Sequence, residues 1–266
     1  MSGPGKVTVT YVRTCTTIIS SGGKNILTDP WFSMRMRFLP ALKKPGVPLA
    51  AVPRPDLVLC SHLHADHFDR PALKTLAGPG TAIAGPMGTA AAVASGTGGV
   101  VEEMAPGDRL EAHGMTVTAY PMLHTFPPPD ELGFLVETGE YSLFFAGDAA
   151  YSPVFAEIGR TTTIDVALLP VGGTLIFGRR TVMDPAQALQ AALDLKARVV
   201  IPTHPGGDWL PVPPLSLHPG SPEELEELAR KQVDPPQVLT LAPGQTAVVE
   251  RDSETGRAGG RRVPQI

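Results

Sequence analysis

Only two cysteines occur in the 266 residues, and both, Cys15 and Cys60, fall on apolar, strand-like segments. A disulfide scaffold needs a denser set of paired cysteines, so these two are expected to be reduced core thiols. Basic runs are also missing. Lys and Arg total 22 against 26 Asp and Glu, a formal net charge of -4, which leaves no electrostatic track for phosphates; nucleic acid is not expected as a partner. No apolar stretch approaches the roughly 20 residues of a spanning helix. Residues 1–6 carry no apolar core of the kind a secretory leader needs. The expectation is a cytoplasmic chain with no transmembrane segment. Aromatic residues make up only 6%, yet 42% of the chain is apolar, enough for a sizeable core.

What the chain does have is histidine in pattern. Of its 7 histidines, His62, His64 and His67 sit in Ser-His-Leu-His-Ala-Asp-His with Asp66, His124 is followed downstream by Asp148, and His204 lies in Ile-Pro-Thr-His-Pro-Gly-Gly. The first cluster follows the apolar run Leu57-Val58-Leu59-Cys60 and precedes Asp69-Arg70-Pro71, a helix entry, so it reads as a strand-to-helix loop. In an extended segment His62 and His64 face one side and can share one ion, while Asp66 and His67 turn toward a neighbouring position. One loop thus seeds two sites. Imidazole and carboxylate without thiolate suit two divalent transition-metal ions, zinc first, with manganese or iron as alternatives. A lone histidine at a strand end is usually a hydrogen-bonded core or surface residue. Four metal-capable side chains in six residues have little structural use, because they repel one another if charged without an ion.

The remaining candidates end strands as well. His124 follows the alternating run from Met115 to Tyr120 and a Pro121-Met122-Leu123 turn, Asp148 closes Ser142-Leu143-Phe144-Phe145-Ala146-Gly147, and His204 follows Val199-Val200-Ile201. Functional groups of open α/β sheets converge at such C-terminal strand ends. Val7, Val9 and Tyr11 alternate as a first strand, and residues 16–19 and 25–28 form a hairpin across Ser20-Ser21-Gly22-Gly23. Asp184-Pro185 with Gln187, and Ser221-Pro222 with Glu224, are capping boxes that open two helices. Residues 237–241 and 246–249 read as final strands, and the polar, glycine-rich residues 253–266 as a flexible tail. His113 and His218 lie outside the ligand pattern, so replacing either is expected to leave metal content unchanged.

These residues give the chain a family resemblance. His62, His64, Asp66 and His67 in the H-x-H-x-D-H spacing, with His124, Asp148 and His204 in order, resemble the metallo-β-lactamase-fold hydrolases. The resemblance implies an α/β fold, the four-layer αββα sandwich, over residues 1–252. It assigns His62, His64 and His124 to one ion and Asp66, His67 and His204 to the other, with Asp148 bridging. Leu27-Thr28-Asp29-Pro30-Trp31-Phe32, Gly147-Asp148-Ala149 and Ala167-Leu168-Leu169-Pro170-Val171-Gly172-Gly173 are similar to the branch that contains L-ascorbate-6-phosphate lactonase and N-acylphosphatidylethanolamine phospholipase D. That branch usually has threonine where Ala149 stands and a histidine within the stretch occupied by Arg13-Thr14-Cys15-Thr16-Thr17.

The implied chemistry is hydrolysis of an ester, lactone or phosphodiester. Two dications about 3.5–4 Å apart share a water whose pKa falls to about 7, giving hydroxide at neutral pH. Asp66 and Asp148 are the catalytic carboxylates of this scheme, with Asp66 also taking part in proton transfer. Asp29 is expected to support the site by hydrogen bonding to a ligand histidine or to backbone rather than to react. Two proline-rich, apolar segments, residues 31–53 and 209–219, are candidate walls for a small-molecule or lipid-like substrate, or else loops that cover a sheet edge. Arg179 and Arg180 read either as an anion grip or as a solvated surface pair. The alternative class is a non-catalytic metal or small-molecule binding protein on the same fold.

Overall fold

Strand period and helix caps recur along the chain in the order the sequence predicts. The computed structural model describes residues 5–37, 39–93, 96–125, 130–209, 216–251 and 258–263. The first half runs β1 (Lys6–Arg13), β2 (Thr16–Ser21), β3 (Lys24–Thr28), β4 (Arg35–Met36), β5 (Leu39–Pro40), β6 (Leu57–Leu59), α1 (Arg70–Leu76), β7 (Ala82–Gly85), α2 (Thr89–Val93), β8 (Val100–Glu103) and β9 (Arg109–Ala112). The second half runs β10 (Met115–Leu123), β11 (Asp130–Glu137), β12 (Ser142–Phe145), α3 (Val154–Thr161), β13 (Val166–Pro170), β14 (Leu175–Ile176), β15 (Arg179–Arg180), α4 (Pro185–Asp194), β16 (Val199–Thr203), β17 (Ser216–Leu217), α5 (Pro222–Ala229), β18 (Gln237–Val238), β19 (Thr246–Arg251) and β20 (Ala258–Val263).

Two large sheets form, in the orders β20-β19-β1-β2-β3-β6-β7-β8 and β18-β16-β13-β12-β11-β10-β9, beside the small sheets β15-β14-β17 and β4-β5. Side chains alternate across each strand, which explains the layering. Leu57 and Leu59 of β6, Leu143 and Phe145 of β12, and Val199 and Ile201 of β16 all enter one core between the sheets. Their neighbours point outward. Phe144 and Val200 pack with Phe155, Leu189 and Leu225 of α3, α4 and α5, and Val58 and Ile83 pack with Leu73, Leu76 and Val93 of α1 and α2. The result is the expected four-layer αββα sandwich. Both cysteines are free and buried, as core thiols. Among the described residues, no helix is long and apolar enough to cross a membrane.

The helix starts follow the capping chemistry. Asp184 accepts from the Gln187 backbone while the Gln187 side chain answers the Asp184 backbone, a complete capping box, whereas at α5 only half of the expected box forms, Ser221 accepting from the Glu224 N–H. Asp69 caps α1 through the Ala72 N–H.

Three segments differ from the sequence reading. Pro121-Met122-Leu123 continues β10 rather than turning; β9 pairs only with Met115 to Thr118, so Pro121 lies beyond it on an edge, where proline is tolerated. β18 is confined to Gln237 and Val238. Residues 258–263, read as part of a frayed tail, pair with β19 as the outermost strand. The Gln237 side chain grips that strand, donating to the Gly260 carbonyl at 2.8 Å and accepting from its N–H at 2.7 Å. Glycine and arginine give little strand signal of their own, so this tertiary clamp was invisible in the sequence.

Candidate metal centre

β3, β6, β7 and β8 run parallel, as do β12, β13, β16 and β18, while β10 and β12 share a direction because both oppose β11. Their C-terminal ends therefore present Asp29, the turn from Ser61 to His67, His124, Asp148 and His204 at one edge. Backbone strain gathers there too. Asp29 (φ 33°), His204 (φ 48°) and Thr14 (φ 50°) are non-glycine residues in the left-handed region, and the His204 N–H donates to the Thr14 carbonyl at 2.8 Å. Asp208 pins that turn, accepting from the Thr14 N–H at 3.1 Å and from its hydroxyl at 2.9 Å.

Among the described residues five overlapping groups of potential ligand atoms converge within 4.8 Å, and two of them are those the sequence suggested: His62, His64 and His124, and Asp66, His67 and His204. Asp148 stands between them. Its Oδ1 lies 2.9 Å from His124 Nδ1 and 4.0 Å from His62 Nε2, whereas its Oδ2 lies 3.6 Å from His67 Nε2 and 3.7 Å from His204 Nε2. All seven residues named from the sequence thus meet in one place, whereas His113 sits apart on a turn.

A surrounding set of acceptors fixes the imidazoles. Asp29 accepts from His67 Nδ1 at 2.6 Å and also from the Ser61 N–H at 2.7 Å and hydroxyl at 2.6 Å. This is the supporting role expected of Asp29, toward both a cluster histidine and backbone. With its proton on Asp29, the Ser61 hydroxyl accepts from His62 Nδ1 at 3.0 Å. Glu131, which sequence reasoning missed, accepts from His124 Nδ1 at 3.0 Å and from the Asp148 N–H at 2.7 Å. In each case the Nδ1 proton is taken outward and Nε2 is left facing the cluster, the arrangement that orients metal-binding histidines. Gly147 (φ 65°) is required beside them, since a Cβ there would collide with the Glu131 Oε1 and with Ser61.

The fit to a metal rests on orphaned polar atoms. His67 Nε2, His124 Nε2 and both ring nitrogens of His204 are buried without a hydrogen-bond partner among the described residues. Buried polar groups are rarely left so, and several converging orphans of nitrogen type match a borderline dication. Cys15 is no competitor. Burial pushes its thiol up to about 12, and its Sγ donates to the Gly147 carbonyl at 3.2 Å.

From the protein groups alone, charge is distributed unevenly. Burial would lower the His67 imidazole, but Asp66 and Asp29 outweigh it and hold His67 well above the ordinary histidine range. Burial likewise opposes charge on His124, yet Asp148 and Glu131 lift it to about 10. Burial, followed by the charge of His67, holds His62 well below, and burial lowers His204. Glu131 is raised to about 8 by burial and by Asp148.

Protonated His67 and His124 must lose their protons to bind an ion, so metal uptake at neutral pH should release protons and apparent affinity should climb as pH rises toward about 10. The linkage sign is the same for the stripped protein. Its stabilisation by charged His124 is complete below the unfolded value of about 6.5 and is lost toward the folded value. A pH-indicator dye during titration of the stripped protein with zinc reads this directly; uptake with no proton release would contradict it.

The candidate walls meet over this edge. Trp31 and Trp209 pack edge-to-face at 6.3 Å, with Ala41 beside them, and Trp209 also stands 5.6 Å from the His204 ring. Phe38 and residues 210–215 of the two walls lie outside the described residues. Arg180 is engaged with Asp184 at 3.3 Å and with the Gly173 carbonyl.

Comparison with known proteins agrees with this architecture. A family model described as a beta-lactamase superfamily domain matches residues 24–205. A UPF0173 metal-dependent hydrolase of Nitratidesulfovibrio vulgaris is 30% identical over 252 residues, covering 89% of this chain and 92% of the relative. Among solved structures, a novel metallo hydrolase from the archaeon Ignicoccus hospitalis superposes with a TM-score of 0.71 at 22% identity, covering 92% of this chain and 99% of that one. CmlA, a diiron beta-hydroxylase from Streptomyces venezuelae, superposes at 0.67 with 16% identity, covering 94% of this chain and 55% of that one. The chain belongs to the beta-lactamase superfamily, among its UPF0173 metal-dependent hydrolases.

Proposed function

We propose that this metal-dependent hydrolase is dinuclear, with Asp148 shared between His62, His64 and His124 on one side and Asp66, His67 and His204 on the other, and that it cleaves an ester, lactone or phosphodiester. The observation that carries the reading is the division of the Asp148 carboxylate, one oxygen toward each histidine group. When bound, two dications supply Lewis acidity and a water acidic enough to act as nucleophile at neutral pH. Zinc suits the donor set best, with manganese or iron as the other candidates.

The chain's own residues do the rest. Asp29, Ser61 and Glu131 hold His67, His62 and His124 so that no side chain has to reorganise. Asp66, buried with its Oδ2 3.7 Å from His67 Nε2, holds the proton given up by the attacking water. The rim favours substrates with an apolar group beside the scissile bond. Leu123 precedes His124, Phe177 tips the hairpin of β14 and β15, Leu217 lies on the paired β17, and Leu42 bonds through its N–H to the Asp208 carbonyl; all four are exposed.

Metal analysis of the unstripped protein should find close to two equivalents of transition metal per chain. The loaded protein should hydrolyse at least one member of a panel of lactones, acyl esters and bis-p-nitrophenyl phosphate, losing activity with a chelator. Along an acyl series each additional buried methylene should lower KM by about 4-fold, from ~0.8 kcal/mol per methylene. Protein that carries no metal and takes up none on reconstitution would overturn the reading, and a loaded protein inert toward the whole panel would favour a binding role.

A further inference from the structure

A histidine outside both ligand groups stands beside them with one ring nitrogen unspoken for. His218 follows β17, and its Nδ1 lies 2.9 Å from the Thr174 hydroxyl. Its ring meets Trp209 edge-on at 5.1 Å, and Trp209 in turn meets the His204 ring at 5.6 Å. The turn after His204 closes against it: Gly206 has φ 76°, and a Cβ there would overlap the His218 Cβ. His218 is therefore held by hydroxyl, indole and backbone at once. Its Nε2 is buried and makes no hydrogen bond among the described residues.

An orphaned buried nitrogen costs free energy unless something satisfies it in the working protein. His218 belongs to no group of converging ligand atoms, so an ion at the cluster is not that partner. Its contacts with Trp209, which stacks edge-on against the His204 ring, and with Gly206, two residues after His204, place it on that side of the centre. We propose that His218 is a substrate-binding residue, presenting Nε2–H to an oxygen of the substrate on the Asp66 and His204 side. This rests on the hydrolase reading above for what the substrate is, but not for the binding itself.

Thr174 and Nδ1 can exchange donor and acceptor roles across their 2.9 Å bond; with the hydroxyl donating, the single proton of the neutral ring sits on Nε2 and makes that atom a donor, the tautomer the proposal uses. Burial, with His204 adding to it, pushes the imidazole down to about 4, so the donor carries no charge at neutral pH. A neutral imidazole can polarise a carbonyl or phosphoryl oxygen in this way without a proton being transferred. No bond is made or broken at the ring.

The test uses inorganic phosphate and butyrate as inert oxyanion probes on the metal-loaded full chain. His218→Phe keeps the ring packing against Trp209 and removes the donor; His218→Gln restores an N–H. Metal content should be unchanged in both. His218→Phe should weaken binding of at least one probe by about 10- to 100-fold, the range for a hydrogen bond to a charged group, with His218→Gln recovering part of it. If a panel substrate is turned over, its kcat/KM should fall in parallel. Unchanged probe affinity in His218→Phe, equal loss in both variants, loss of metal, or a wild-type protein that binds neither probe would each overturn the proposal. Probe binding that depends on His218 in a protein inert toward the whole panel would sustain it while removing the hydrolase reading.

Discussion

Asp148→Ala should purify with both halves of the cluster underloaded and with hydrolysis reduced by more than the roughly 10- to 100-fold that loss of an outer partner costs a metal site. The reason is geometric. A single carboxylate faces His124 and His62 with one oxygen and His67 and His204 with the other, so its removal strips charge from both positions at once. A residue serving one ion would leave the other occupied. Metal analysis of the variant after reconstitution separates the cases: near-normal turnover with two ions retained would mean that Asp148 is not the bridge. A second signature appears in the stripped protein. Burial opposes charge on Asp148, but His62, His124 and His67 outweigh it and hold the carboxyl well below its ordinary range. That stabilisation is present above the unfolded value of about 3.9 and is lost as pH falls through the lower folded value. The acid limb of the wild-type stability curve should therefore be blunted in the variant.

The candidate ligand positions were legible because each combines two signals. A short apolar run gives the strand, and a histidine or aspartate just past it gives the donor, as at Leu59 before His62 and Thr203 before His204. Period-2 alternation also carried the layers: Leu143 and Phe145 face the inner core while Phe144 faces the helices. Asp29 was legible as a support from the Leu-Thr-Asp-Pro segment at the end of β3, which the β3–β6 pairing brings next to the turn that begins at Ser61.

Glu131 was not legible, for a physical reason. It lies within β11, in Asp-Glu-Leu-Gly-Phe-Leu-Val-Glu, where an acid near a strand end looks solvent-facing. Only the hairpin register brings it to the site, by pairing Glu131 with Met122, two residues before His124. The signal available in the sequence was the hairpin itself, which folds a charged residue back onto the histidine that precedes it. His218 escaped for the same kind of reason, since β17 is placed by pairing with β14 and not by any pattern of its own. Residues 258–263 likewise depend on the Gln237 clamp.

Glu131→Ala should therefore behave as a metal-site variant although Glu131 is in neither of the two ligand groups the sequence suggested. Its carboxylate is fully buried and joins two site elements, taking the His124 Nδ1 proton with Oε2 and the Asp148 N–H with Oε1. Truncation frees the His124 ring to change tautomer or rotate, and it leaves the Asp148 N–H without an acceptor, a cost of about 1–3 kcal/mol for a buried donor. The expected result is a drop of about 10- to 100-fold in affinity at the position formed by His62, His64 and His124, with the Asp66, His67 and His204 position losing less. Competition with a chelating dye, resolving two binding steps, reads the asymmetry. Glu131→Gln supplies the control for folding, because it fills the same volume and keeps an oxygen for the Asp148 N–H while presenting an amide donor or a weaker acceptor to His124. Loss greater at the first step than at the second in both variants, and smaller overall in Glu131→Gln, is the signature of a residue that orients His124. Equal loss at both steps, or none, would reduce Glu131 to a buried acid that packs beneath Gly147 and nothing more.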